Sequence, residues 1–185
     1  MKVMRCCIII MIIGGKIMNR ILVLGNSGAG KSSFTVSLAK KLNINYLHLD
    51  KIVYKMSWDL PCFEDLKIEI DKIINDEKWI MDGNFLNNCT NRFEECDTIF
   101  FLDINRFVCL FSVLKRNKKY KGKPRESRSD LCDEKITFSY LKWVFWDYYR
   151  TSRKQIKKII LDNSDKKVIV FKNRKQINKY IKEAK

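Results

Sequence analysis

None of the seven cysteines in this chain (Cys6, Cys7, Cys62, Cys89, Cys96, Cys109 and Cys132) stands in a C-x-x-C pair. An odd count with no such pair is neither a zinc framework nor an obvious disulfide framework. Scattered among apolar neighbours, these residues read as small buried hydrophobes of a protein kept reduced, which points to the cytoplasm. No apolar run approaches the ~20 residues that cross a bilayer, since the run from Cys6 to Ile13 is eight long. There is no internal repeat and no low-complexity segment. His48 is the single histidine, and no nucleophile–His–Asp arrangement is visible around it.

What is present describes one folded domain. The chain has 185 residues, 46% of them hydrophobic and 31% charged, enough to bury a core without disulfide staples. Residues 1–17 carry Lys2 and Arg5 ahead of the short apolar run, but no small-x-small cleavage site follows. They are set aside as a non-native or flexible extension, with the domain beginning at Met18. The net charge of +16 is one-sided. Residues 1–104 hold 13 Lys and Arg against 13 Asp and Glu, whereas residues 105–185 hold 24 against 8. Such a field concentrates polyanions, whether nucleotide, nucleic acid or acidic membrane, without choosing among them.

From Met18 the pattern alternates strand and helix. Short apolar runs at 20–24, 45–49, 78–81, 98–102 and 167–171 read as five strands, the first buried on both faces. Between them lie helical patterns at 31–42 (Phe34, Leu38, Leu42) and 63–75 (Phe63, Leu66, Ile70, Ile73, Ile74). A third runs on from Asn105, a fourth spans 136–161, and a basic helix begins near Lys175. Strands separated by helices predict an α/β fold with a five-stranded parallel sheet and helices on both faces, a three-layer arrangement. In such sheets ligands gather beyond the carboxyl ends of the strands. Here the first strand ends at a glycine loop, and others end at Asp50, Asp82 and Asp103.

That loop carries the strongest signal. Gly25-Asn26-Ser27-Gly28-Ala29-Gly30-Lys31-Ser32 is G-x-x-x-x-G-K-S, following a strand and opening a helix as the motif requires. Glycines let successive N–H groups converge on phosphate oxygens, and the helix adds its positive end. Lys31 supplies a charge to the β- and γ-phosphates, and Ser32 a hydroxyl ligand for Mg²⁺. Ser33 and Arg174 complete the expected contacts to the cofactor, ATP. No N-K-x-D segment for reading guanine is present, and the length suits a small kinase better than a motor ATPase.

Asp82, in W-I-M-D-G-N, is placed to hold Mg²⁺ through water or to orient an acceptor hydroxyl. Asp50, in H-L-D, is the candidate general base, and Trp58 after it a candidate acceptor contact. Asp103, just before Asn105, reads as a helix cap. The basic stretch around residues 115–130 reads as a closing lid, extending to about residue 153. Arginine's planar fork suits phosphate oxygens there, which singles out Arg116, Arg125 and Arg128, with Arg153 from the following helix. The aromatic stretch 138–149 reads mainly as core packing.

Taken together, G-x-S-G-x-G-K-S, His48 through Trp58, W-I-M-D-G-N-F, R-F-E-E-C-D-T-I-F-F-L-D, K-R, G-K-x-R and F-S-Y-L-K-W-V-F resemble the adenylate-kinase-related topology modulation protein family, from Met18 to the end. The resemblance implies a P-loop fold of nucleoside-kinase type. It also implies Asp82 and Arg92 on the acceptor side, and Arg116 and Arg125 in the lid. The chain departs from that pattern at Ser112, where an arginine is expected, and at Leu131, where a glycine is usual. It also lacks the D-G-F-P-R of adenylate kinases, having D-G-N-F-L instead.

Two functions follow as expectations. The first is a kinase passing the γ-phosphoryl of ATP·Mg²⁺ to a nucleoside monophosphate or another small metabolite. The second is a nucleotide-regulated nucleic-acid-binding protein affecting DNA topology, its basic carboxyl-terminal half on the phosphate backbone. The sequence sets no oligomeric state.

Overall fold

The computed structural model describes residues 18–53, 63–120 and 136–183. The expectations for residues 1–17, Trp58, Arg125 and Arg128 lie outside the described residues.

Five strands form one parallel sheet: β1 (Arg20–Gly25), β2 (Tyr46–His48), β3 (Trp79–Asp82), β4 (Thr98–Leu102) and β5 (Lys167–Phe171), in the order β2-β3-β1-β4-β5. Runs such as Ile21-Leu22-Val23-Leu24 become central strands because both faces are covered, so every residue must be apolar. Alternation then divides them. Ile21, Val23, Ile80, Phe100 and Leu102 face α1 (Lys31–Leu42) and α9 (Arg174–Glu183), where Phe34, Leu38 and Ile177 complete one core. Edge-to-face contacts of Phe34 and Tyr180 with Phe100 and Phe171 close it. On the other face Leu22, Leu24, Met81, Ile99 and Phe101 pack with Leu66 and Ile70 of α3 (Phe63–Ile73) and Ile156 of α8 (Ser152–Asp162).

Several boundaries differ from the sequence expectation. β2 ends at His48, and Asp50 sits instead in the first turn of a short helix, α2 (Leu49–Val53). A further short helix, α4 (Asn91–Glu95), precedes β4. α5 (Arg106–Tyr120) runs into the basic stretch, and its inward residues are Cys109 and Val113. Phe107 and Phe111 are turned out, 65% and 69% exposed. The reason is proximity, because the buried side of α5 meets loop backbone at Gly28 and only small side chains fit there. The single helix expected over 136–161 is broken. α6 (Phe138–Lys142) passes through a π-helical segment (Trp143–Asp147) into α7 (Tyr148–Arg150), and α8 follows. Among the described residues no helix is long and apolar enough to cross a membrane.

Asp103 is not the cap that its position predicted. Asn105 does that work, its Oδ1 accepting from the N–H of Phe107 at 2.9 Å. The Asp103 carboxylate instead accepts from Arg153 at 2.6 and 2.8 Å and from Lys172, tying α8 and the segment after β5 to the end of β4. Arg153 is thereby an ion-pair partner of Asp103 rather than a free lid arginine. Burial alone would raise this carboxyl, but hydrogen bonds from Arg153 and Lys172 outweigh it and hold its pKa below the usual carboxylate range. A depressed pKa contributes stability above the unfolded-state value of about 3.9, and that stability is lost as pH falls through the folded value. Asp103→Asn should lower unfolding stability by about 1–3 kcal/mol at neutral pH. It should also flatten the acid limb below about pH 4, as followed by urea titration at stepped pH.

Candidate functional site

The loop between β1 and α1 is shaped by close backbone contacts. Gly25 has φ 153°, and a Cβ there would lie 2.8 Å from the Leu102 carbonyl of β4. Gly28 has φ 78°, and a Cβ there would overlap the Cys109 carbonyl of α5. Asn84 clamps the first of these glycines. Its Oδ1 accepts from Gly25 N–H at 3.1 Å and its Nδ2 donates to Gly25 C=O at 3.0 Å. α1 then starts behind Gly30 with no side-chain cap and no acidic residue in its first turn. The amides of that turn are left for an anion. Lys31 Nζ lies over the loop, donating to Gly25 C=O at 3.1 Å and Asn26 C=O at 3.2 Å. Ser32 stands in the first turn of α1, and Ser33 beside it is exposed.

Other elements rim this loop. Asn26 uses its buried side chain structurally, donating to the Val144 carbonyl of the π-helical segment at 2.7 Å. Ser27 Oγ and Tyr140 Oη of α6 share a hydrogen bond of 2.5 Å, and Arg116 donates to the same tyrosine oxygen at 3.3 Å. Arg174 donates to Gly28 C=O at 3.3 Å and to Ser112 Oγ. Lys31, Arg116 and Arg174 therefore converge on the loop from α1, α5 and α9. Ser112, the departure noted in sequence, is the residue that meets Arg174.

The β3 side holds the carboxylates. Asp82 ends β3, next to Val23 of β1 and His48 of β2 in register. Its Oδ1 accepts from His48 Nδ1 at 2.8 Å, both side chains being 4% exposed. Its Oδ2 has no partner among the described residues. Asp50 is half-buried in α2.

Arg92 is a correction to the expectation that it faces an acceptor. It is 0% exposed, and its guanidinium donates to the carbonyls of Gly83, Asn84 and Phe85. Burial lowers its pKa to about 10, so it stays charged at neutral pH. Its work is to fix the turn that carries Asn84.

Among the described residues no three or more His, Cys, Asp or Glu side chains cluster as a metal site. The donors that fit Mg²⁺ are of another kind, a hydroxyl at Ser32 and the open oxygen of Asp82, both hard oxygen ligands of the type this ion prefers. Three residues carry more of the site than the sequence reading assigned them, namely Asn84, Tyr140 and His48. Each stood inside a motif, D-G-N, S-Y-L-K and H-L-D, but its partner comes from a different element. The thiols of Cys96 and Cys109 are buried, and their pKa values are raised to about 11, so they behave as packing groups.

No protein-family model matches this chain, and no curated protein does either. Solved structures do. Shikimate kinase from Bacteroides thetaiotaomicron aligns with a TM-score of 0.53 at 16% identity, over 90% of this chain and 96% of its own. Deoxyadenosine kinase from M. mycoides with bound dATP aligns over 88% of this chain and 95% of its own, at 15% identity and a TM-score of 0.48. This chain shares the fold of the shikimate kinase, a five-stranded parallel sheet with helices on both faces. Identity this low carries the architecture and no substrate.

Arg92→Met should cost about 3 kcal/mol of unfolding stability, because buried carbonyls lose their donor. A role in acceptor contact would instead alter acceptor binding with stability intact, and paired denaturation and binding titrations separate the two.

Proposed function

We propose that this chain is an ATP·Mg²⁺-dependent phosphotransferase acting on a small acceptor, a nucleoside monophosphate or another hydroxylated or phosphorylated metabolite. The observation that supports it most is the G-x-x-x-x-G-K-S loop at the end of β1, rimmed by Lys31, Arg116 and Arg174, with the carboxylate of Asp82 on the adjoining strand. The finer resemblance, to the adenylate-kinase-related topology modulation family, belongs to this reading.

In this reading the amides between Asn26 and Ser33 that the loop's own bonds leave open hold the β- and γ-phosphates together with the Lys31 ammonium; Gly25, its N–H given to Asn84, shapes the loop, and Arg174 lies at the nucleotide edge. Ser32 and, through water, Asp82 would hold Mg²⁺, which would supply neutralising charge to the phosphate oxygens. The acceptor lies between α2 and the end of β3, with Asp50, Asp82, Trp58 and Arg128 as the residues proposed to bind it. A hydroxyl acceptor gives its proton to Asp50 as its oxygen bonds to the γ-phosphorus and the bond to ADP breaks, whereas a phosphate acceptor attacks through an oxygen that carries no proton. Arg116 and Arg125 meet the charge on the transferring group. Arg153 and Arg92 drop out of direct contact, being committed to Asp103 and to the turn after β3.

Lys31→Ala should reduce ADP release by about 100- to 1,000-fold with the fold intact. The assay is a screen of nucleoside monophosphates, nucleosides and sugar-type metabolites with ATP·Mg²⁺. Unchanged turnover would remove Lys31 from the mechanism. Arg125→Ala should lower turnover about tenfold and ATP affinity much less, and an unchanged rate assigns that residue to a solvated face.

A second reading is carried by the excess of 24 Lys and Arg over 8 Asp and Glu in residues 105–185. Nucleic-acid binding through phosphates would weaken steeply with salt, whereas an acceptor site gives saturable, acceptor-dependent ADP release.

A further inference from the structure

We infer that His48 is a positioning residue for the magnesium site. It holds one oxygen of Asp82 so that the other is the one left to take up the metal's water shell. The inference rests on the metal assignment made above, and it begins with burial. A carboxylate 4% exposed is costly unless a cation or several donors meet it. Among the described residues no lysine or arginine pairs with Asp82, and the donor it does have is His48 Nδ1 at 2.8 Å. The two are register partners on neighbouring parallel strands, so the sheet fixes their spacing.

The second observation is what remains unmet. Buried polar atoms in folded proteins almost always find a partner. Yet Asp82 Oδ2, His48 Nε2 and Thr35 Oγ1 are all buried without one among the described residues. All three belong to one layer. Alternation puts Asp82 on the face of Ile80, and His48 on that of Tyr46, the face against which α1 packs. Thr35 stands on α1, three residues after Ser32, and at that spacing the two share one side of the helix. Three open polar atoms thus sit in the layer that also carries the hydroxyl ligand. That pattern fits a hydrated divalent cation better than a dry core. Outer partners of this kind set the orientation of a ligand, and their loss typically weakens metal binding by about 10- to 100-fold.

The test reads metal binding and not turnover. Mn²⁺ is titrated by electron paramagnetic resonance into the full chain with a non-hydrolysable ATP analogue, comparing wild type, His48→Phe and His48→Asn. Asparagine keeps an N–H donor near the place of Nδ1, while phenylalanine removes it at similar bulk. The expected result is about 10- to 100-fold weaker Mn²⁺ binding for His48→Phe and recovery to within about threefold for His48→Asn. Affinity for the metal-free analogue should stay unchanged in both. Should His48→Phe fail to fold, His48→Leu and Asp82→Asn provide the same comparison, each expected to bind Mn²⁺ more weakly than His48→Asn. Wild-type Mn²⁺ affinity in a folded variant lacking the donor would overturn the inference. So would equal weakness of the asparagine and phenylalanine variants, or a wild type that binds no Mn²⁺ with the analogue. A wild type that binds Mn²⁺ and the analogue but phosphorylates no acceptor would retire the phosphotransferase reading alone.

Discussion

The arrangement depends on one contact made without side chains, the approach of loop backbone at Gly28 to helix backbone at Cys109. Because no Cβ intervenes, α5 lies against the phosphate loop itself, and its inward residues must be small. That contact explains why Phe107 and Phe111 face outward although their spacing predicts an inward stripe. It also brings Arg116, two turns further along α5, within one tyrosine of Ser27. Gly25 plays the matching part toward β4, and Asn84 clips it from the β3 side. The loop is thereby held from three elements, and its amides do not have to be organised by the ligand.

The register of the sheet does the rest. Parallel pairing aligns the ends of β1, β3 and β4, so that the glycine loop, Asp82 and Asp103 fall along one edge. The two carboxylates have opposite fates. Asp103 gathers two cations and acts as a structural tie between β4, α8 and the end of β5. Asp82 gathers none among the described residues and keeps one oxygen open. The proposed phosphotransferase reading uses the second and not the first.

The sequence was legible where structure is local. Continuous apolar runs located all five strands, β4 and β5 to the residue, and the glycine motif located the loop. It was illegible where a residue's role depends on a partner far along the chain. Asp103 and Arg153 are fifty residues apart in sequence, and nothing in either neighbourhood marks the pair. His48 and Asp82 meet only once β2 is known to lie beside β3. Arg92 stood on the acceptor side only by the family resemblance, and its bonds to three carbonyls in a buried position give it a structural task. The aromatic stretch read as core is mixed, with Tyr148 buried and Trp146 and Phe138 exposed.

The π-helical segment at Trp143–Asp147 stores one residue more than an α-helix of the same rise would hold. Asn26 of the phosphate loop donates to the Val144 carbonyl inside it. The phase of everything downstream is set there, including Tyr149, whose hydroxyl reaches the Ile104 carbonyl, and Arg153 at Asp103. Removing a single residue from this stretch would let it rewind as a plain α-helix, turning the following residues by about 100° about the axis. A deletion that leaves composition and charge almost untouched would uncouple α7 and α8 from both the loop and the β4 end.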